Sequence, residues 1–168
     1  MHPKPIVISV CLCTVSGCTI TYDFKDTPKR SQNASPVYFA DPLPVAISTE
    51  LSQLEERLTW IDTGIYKVGN LLQRLFVSVE TAPVQLELVD STLSVSAVET
   101  VFLTRWDAAY SLALSFTDHS HRKSLISTIG SGSSRGGPTI AGRTAVESAV
   151  YSAYKQVKFL MENSAASE

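Results

Sequence analysis

The sequence predicts an α+β domain, a mainly antiparallel sheet with amphipathic helices packed on one face. Three observations lead there. From Val84 to Ser131, apolar residues recur at every second position across several β-rich runs, the period of a half-buried strand. The connections between these runs are short and polar, which suits antiparallel pairing. From Thr144 to Met161 the period changes to three and four, that of a helix burying one face. Strands in succession followed by such a helix form a two-layer arrangement. With 168 residues, 44% apolar and 18% charged, the composition is that of an ordinary globular chain.

The chain opens with Met1-His2-Pro3-Lys4-Pro5, then twelve largely apolar residues from Ile6 to Gly17. As a helix these would reach about 18 Å, short of the roughly 30 Å of bilayer hydrocarbon, so they read as the apolar part of a signal peptide. Val15-Ser16-Gly17-Cys18 resembles the lipobox of bacterial lipoproteins: an aliphatic residue, two small residues and the acceptor cysteine. The resemblance implies cleavage between Gly17 and Cys18, a diacylglyceryl thioether on Cys18 and a further acyl chain such as palmitate on the new N-terminus. Two chains are what stable membrane anchoring needs. Thr19 follows the cysteine where Asp would signal retention in the inner membrane, so the expected location is the outer membrane, facing the periplasm. The competing reading is a buried strand over Ile6-Val7-Ile8-Ser9-Val10. Cys11, Cys13 and Cys18 are the only cysteines; after cleavage one would remain, and a lipid on it removes the liability of a free thiol in an oxidising compartment.

Residues 18–36 read as the anchored N-terminus and a flexible tether, polar from Asp23 onward with Pro28 and Pro36. Tyr22 and Phe24 are expected either at the membrane interface or packed on the domain. Residues 37–163 read as one domain and 164–168 as a disordered tail. Val37-Tyr38-Phe39-Ala40 is a short β-rich run, and Val45-Ala46-Ile47 a strand beyond Pro44, expected at a sheet edge. Leu51, Leu54, Leu58, Ile61 and Ile65 have helical spacing with Ser48 or Thr49 as a cap. Asp62-Thr63-Gly64 breaks it, and Val68, Leu71, Leu72, Leu75 and Phe76 continue on a second helix. Leu51–Val77 is therefore one kinked helix, or a strand-like piece plus one helix. Gly69 in a helix interior predicts close approach to another backbone.

Further along, Val84, Leu86 and Leu88 alternate with polar residues, as do Leu93 and Val95. Val98–Trp106 and Ala109–Thr117 follow as strands, with a turn expected over Arg105-Trp106-Asp107-Ala108. Asp118 to Lys123 is a hairpin tip and Ser124–Ser131 the returning strand. Gly130–Gly142 reads as a loop because Gly130, Gly132, Gly136, Gly137, Gly142 and Pro138 fall in it. Thr144-Ala145-Val146-Glu147 matches a capping box, and Val146, Ala149, Val150, Ala153, Val157, Leu160 and Met161 form the stripe of the last helix.

Net charge is −2, and −3 without the leader, whose one charged residue is Lys4. Phosphates demand a basic face, so nucleic acid is not an expected partner. Gly132-Ser133-Ser134-Arg135-Gly136 formally matches a nucleophile elbow, but no acid–histidine pair follows Ser134. Arg135 and Arg143 beside a helix start could hold an anion. His119 and His121 could share a metal, although the chain's one other histidine is His2. Asp62, Glu55, Glu56 and Glu99 make no carboxylate pair. The expectation is no cofactor, no metal and no catalytic residue.

Gly64-Ile65-Tyr66-Lys67-Val68-Gly69, Leu71 to Phe76, Tyr110–Thr117 and Thr144 to Val150, in this order after a lipobox and tether, resemble the small outer-membrane lipoproteins of the YajG and ABC-transport-auxiliary type. Their domain is similar to the N-terminal domain of TolB. The resemblance covers most of the chain after the leader and implies a non-enzymatic component that docks on, or helps assemble, envelope transport or export machinery, in some members as homo-oligomeric rings. The alternative is a small periplasmic hydrolase or ligand-binding lipoprotein using the polar loops of residues 118–136.

Overall fold

A computed structural model describes residues 20–24, 36–58, 64–79, 82, 84–99, 103–117 and 122–165. The strands are β1 (Ile20–Tyr22), β2 (Leu43–Ile47), β3 (Glu56–Leu58), β4 (Gly64–Tyr66), β5 (Phe76–Ser78), β6 (Gln85–Glu99), β7 (Thr104–Thr117) and β8 (Lys123–Arg135). The helices are α1 (Thr49–Ser52), α2 (Val68–Leu75) and α3 (Arg143–Ala165), with a 3-10 turn at Pro36–Phe39 and a π turn at Pro138–Gly142. The α+β class holds. The main sheet has the order β5-β2-β6-β7-β8, and a small one the order β1-β4-β3. Both are mixed: the long pairs β6–β7 and β7–β8 are antiparallel, while β2 runs parallel to both its neighbours and β1 parallel to β4.

The long strands form because alternation persists through them. Trp106, Ala108, Tyr110, Leu112 and Leu114 are all buried on one face of β7. The turn expected at Arg105–Ala108 is thus corrected: that stretch continues the strand with the same period. β6 is likewise one strand, with a register shift between Leu88 and Asp90 that lets a bulge at Val89 absorb the break in alternation. The tip over residues 118–121 lies outside the described residues.

Four other expectations are corrected. Val37–Phe39 belongs to the 3-10 turn and is not a strand. β2 is not an edge; it lies between β5 and β6. Its proline is tolerated because the amides of Ala46 and Ser48 point to the β6 side, to the Val84 and Leu86 carbonyls at 2.9 and 3.1 Å. By that alternation Pro44 lacks its N–H on the same side, ahead of the first β2–β6 pair. The helical spacing from Leu51 yields only the single turn α1, capped by Ser48 Oγ, which accepts from the Leu51 amide at 3.4 Å. The chain then makes β3 and β4, so the strand-like piece followed by one helix is what forms. The fourth is the loop, which ends the strand later than expected: residues 130–135 remain in β8.

The reason is how α3 sits. A Cβ on Gly130 would lie 2.0 Å from the Ala149 carbonyl oxygen, and one on Gly132 would lie 2.1 Å from that of Ala145. Both glycines are on the sheet face that α3 covers, and their missing side chains let the helix backbone rest on the strand. Thr128, two residues earlier on the same face, donates its hydroxyl to the Ala153 carbonyl at 3.5 Å. α3 starts in the π turn, whose first residue is Pro138, where a missing N–H costs nothing. Thr144 is therefore inside the helical run and not its cap; its hydroxyl donates to the Ile140 carbonyl at 2.8 Å. Glu147 does not reach back to a cap but pairs with Arg143 at 3.2 Å. The helix extends to Ala165, into the expected tail.

Gly69 behaves as its position predicts. Its Cβ would fall 2.4 Å from the Ser52 carbonyl oxygen, and its amide donates to the Leu54 carbonyl at 2.9 Å. That bond satisfies an orphan donor at the start of α2, where Lys67 supplies no side-chain cap. The tether reading is corrected at its front: Ile20–Tyr22 form β1, and Tyr22 and Phe24 are buried. Tyr22 stacks on Tyr66 at 4.5 Å, and the Arg143 guanidinium lies 5.2 Å over the Phe24 ring. One apolar cluster joins these aromatics, α2, the covered sheet face and α3.

Candidate docking surface

β8 closes one end of the main sheet and is 13 residues long. The direction of its backbone groups follows from its register. The Gly136 amide donates to Thr104 at 3.0 Å just past the last β7–β8 pair. In an antiparallel ladder both backbone groups of a residue face the same neighbour and alternate along the strand. Even-numbered residues of β8 therefore bond to β7, and Leu125, Ser127, Ile129, Ser131 and Ser133 direct their N–H and C=O groups outward. Gln156 on α3 agrees with this assignment: its side-chain amide donates to the Ile129 carbonyl at 2.8 Å, around the strand's free side.

The same odd positions place their side chains on the sheet face opposite α3. That face is lined by small residues in register: Thr92, Ser111 and Ile129 form one row, and Asp90, Ala113 and Ser127 the next. Among them Leu125 and Ile129 stand 65% and 66% exposed. On the helix, Phe159 and Leu160 are exposed one turn beyond Gln156. Among the described residues no strand pairs with this ladder, and Gln156 meets only the Ile129 carbonyl; a long edge strand bordered by exposed apolar side chains is one that proteins ordinarily blunt or cover.

One polar feature accompanies this edge, and a second lies two strands away on β6. A shallow depression of about 450 Å³ on the open sheet face is lined by Ser94, Ser96, Asp107, Ala109, Ser131 and Ser133. A hydrogen bond from Ser133, and then the Arg105 guanidinium at 2.9 Å, hold the Asp107 carboxyl below its ordinary range. The second feature lies where the small sheet meets the large one. Ser91 on β6 donates its hydroxyl to the Glu56 carboxylate on β3. Burial pushes Glu56 up, opposed by the bonds from Ser91 and from the Leu93 backbone, with Asp90 adding to the rise. The Tyr110 hydroxyl is buried beside them with no hydrogen-bond partner among the described residues, and burial and then the Glu56 charge push its pKa up, with the nearby Ser91 hydroxyl opposing. Ser91 has one proton to give, and the geometry assigns it to Glu56.

The residues singled out from the sequence do not converge. Gly17, Cys18, Asp62, His119 and His121 lie outside the described residues. Ser134 is within β8, in register with Trp106, so the Gly-x-Ser-x-Gly match runs along a strand and makes no strand-to-helix elbow. Arg143 is engaged by Glu147 and the Phe24 ring, and Arg135 is exposed at the end of β8. Glu55 pairs with Lys67 at 3.8 Å, and Glu99 ends β6 on the surface. Among the described residues no three His, Cys, Asp or Glu side chains gather as a metal site, and no helix is long and apolar enough to cross a membrane. The sequence marks Ser124–Ser131 as a strand, but the glycines hide its continuation to Arg135 and nothing local says that it ends the sheet. The signal present was the alternation of Leu125, Ser127, Ile129, Ser131 and Ser133 against Ile126, Thr128, Gly130 and Gly132. No protein-family model and no curated protein matches the chain.

Proposed function

We propose that the protein is a non-catalytic lipoprotein, anchored through Cys18 in the outer membrane and facing the periplasm, that docks on or helps assemble an envelope transport or export complex. The observation that supports the docking role is the β8 edge, which no described strand pairs and which lies between the exposed Leu125 and Ile129 on one side and Phe159 on the other. The anchoring role rests on Val15-Ser16-Gly17-Cys18 and the apolar run before it. A domain joined to a lipid by a polar segment can meet a partner at the membrane without spanning it.

The test is a photo-reactive residue placed at Ile129 in the full chain expressed in cells, with one at Glu99 for comparison. Cross-links from position 129 to a component of an envelope transport or export system are expected. A chain that cross-links only to lipid or to nothing from position 129 contradicts the proposal.

A further inference from the structure

We infer that the β8 edge accepts one extended segment of a partner protein as an added strand, and that this segment carries apolar side chains at alternate positions and acidic residues at its ends. The inference rests on the docking reading and names the chemistry of the partner at that surface. Five consecutive outward residues, from Leu125 to Ser133, offer backbone donors and acceptors at the spacing of a β ladder. Side chains of an added strand directly opposite Leu125 and Ile129 would lie about 5.5 Å away across a hydrogen-bonded pair, which selects apolar residues on that face. Arg135, exposed, and Lys123, exposed and also paired with Glu87 at 3.2 Å, stand at the two ends of β8. Carboxylates there on the incoming segment are complementary, and basic residues are repelled.

A second copy of this chain is a poorer occupant. α3 is seated on β8 through Gly130 and Gly132 and reaches over its edge through Gln156. Pairing two β8 edges about a two-fold axis would set two such helices over strands roughly 4.8 Å apart, whereas packed helices need about 8–10 Å. A lone extended segment meets no such obstacle. The Ile129 carbonyl can accept from it while Gln156 remains, since an oxygen has two lone pairs.

The test uses the full chain in detergent and a fluorescent peptide of β8's own length, 13 residues, with Glu at both ends, Ser next to each Glu and Val and Ser alternating between, so that Val stands opposite Leu125 and Ile129. The sequence is a palindrome, so either strand direction is sampled; the control peptide has Lys at both ends. Saturable binding of the Glu peptide is expected, weakened about tenfold or more with the Lys peptide. Ser127→Pro removes one outward N–H and no bond to β7, so it should weaken binding by about tenfold or more while Ser127→Ala does not. Ile129→Ser serves as a second variant that leaves the backbone intact and should also weaken binding. No binding of the Glu peptide, equal binding of both peptides, or equal binding by wild type, S127P and I129S overturns the inference. So does a wild-type chain that is a dimer dissociated by I129S. Any of these outcomes alongside retained cross-linking from position 129 leaves the docking role standing and removes only the strand-addition mode.

Discussion

Glu56 illustrates how a single side chain can set a pH dependence. Its folded-state pKa is raised because burial disfavours the carboxylate more than Ser91 and the Leu93 amide favour it. A raised pKa means the folded chain binds a proton that the unfolded chain has released. Its contribution is therefore fully present below 4.5, the ordinary value of a glutamate carboxyl, and is lost as pH rises through the folded value. Glu56→Gln should gain stability relative to wild type on going from pH 4 toward pH 7, read from urea midpoints at the two pH values. A difference between the two proteins that does not change with pH would contradict this. Arg143 gives a second contrast. Glu147 is 5% exposed, so Arg143→Met strands a buried carboxylate and should cost roughly 3 kcal/mol in a denaturant titration. Lys123→Ala, which breaks the exposed pair with Glu87, should cost less than about 1 kcal/mol.

At the scale of elements, the contact between α3 and β8 decides both the fold and the free edge. Gly130→Ala and Gly132→Ala each place a methyl into helix backbone that cannot move without lifting α3. Each should destabilise by about 2–3 kcal/mol, at the upper end of overpacking, measured as a shift of the urea midpoint at constant slope. Gly137→Ala, with nothing within 4 Å of the new methyl, should stay within about 0.5 kcal/mol. These elements also show what can be read from residues alone. The stripe of α3, the buried face of Tyr110–Phe116 and the close approach at Gly69 follow from spacing and need no tertiary knowledge. The glycines of β8 are different: glycine predicts a loop by conformational freedom, and only the position of α3 reveals that their role here is the absence of a side chain. The stretch after Leu51 fails for a related reason. Its apolar spacing is helical, but Glu56 meets Ser91 and the Gly69 amide meets Leu54, and those tertiary bonds favour two short strands. The turn placed at Arg105–Ala108 stood where the buried alternation of Trp106 and Ala108 was already present.

At the scale of the whole molecule two unlike parts are combined: a leader proposed to carry lipid attachment, and an α+β domain whose long strand β8 ends the main sheet among the described residues. The edge was not legible because it depends on which strand ends the sheet, a property of topology and not of local pattern. The proposed lipid site is of the other kind: it rests on a linear motif, Val15-Ser16-Gly17-Cys18, which needs no fold to be read. The two parts meet in the proposed role, where attachment confines the domain to a surface and the edge gives it something to hold. The most direct measurement is metabolic labelling with an alkyne fatty acid, followed by fractionation, of wild type and Cys18→Ser. A labelled, membrane-bound wild type of mass reduced by cleavage after Gly17 is expected, with Cys18→Ser unlabelled and uncleaved. A Cys18→Ser protein that is still labelled, processed and held in the outer membrane would contradict this expectation.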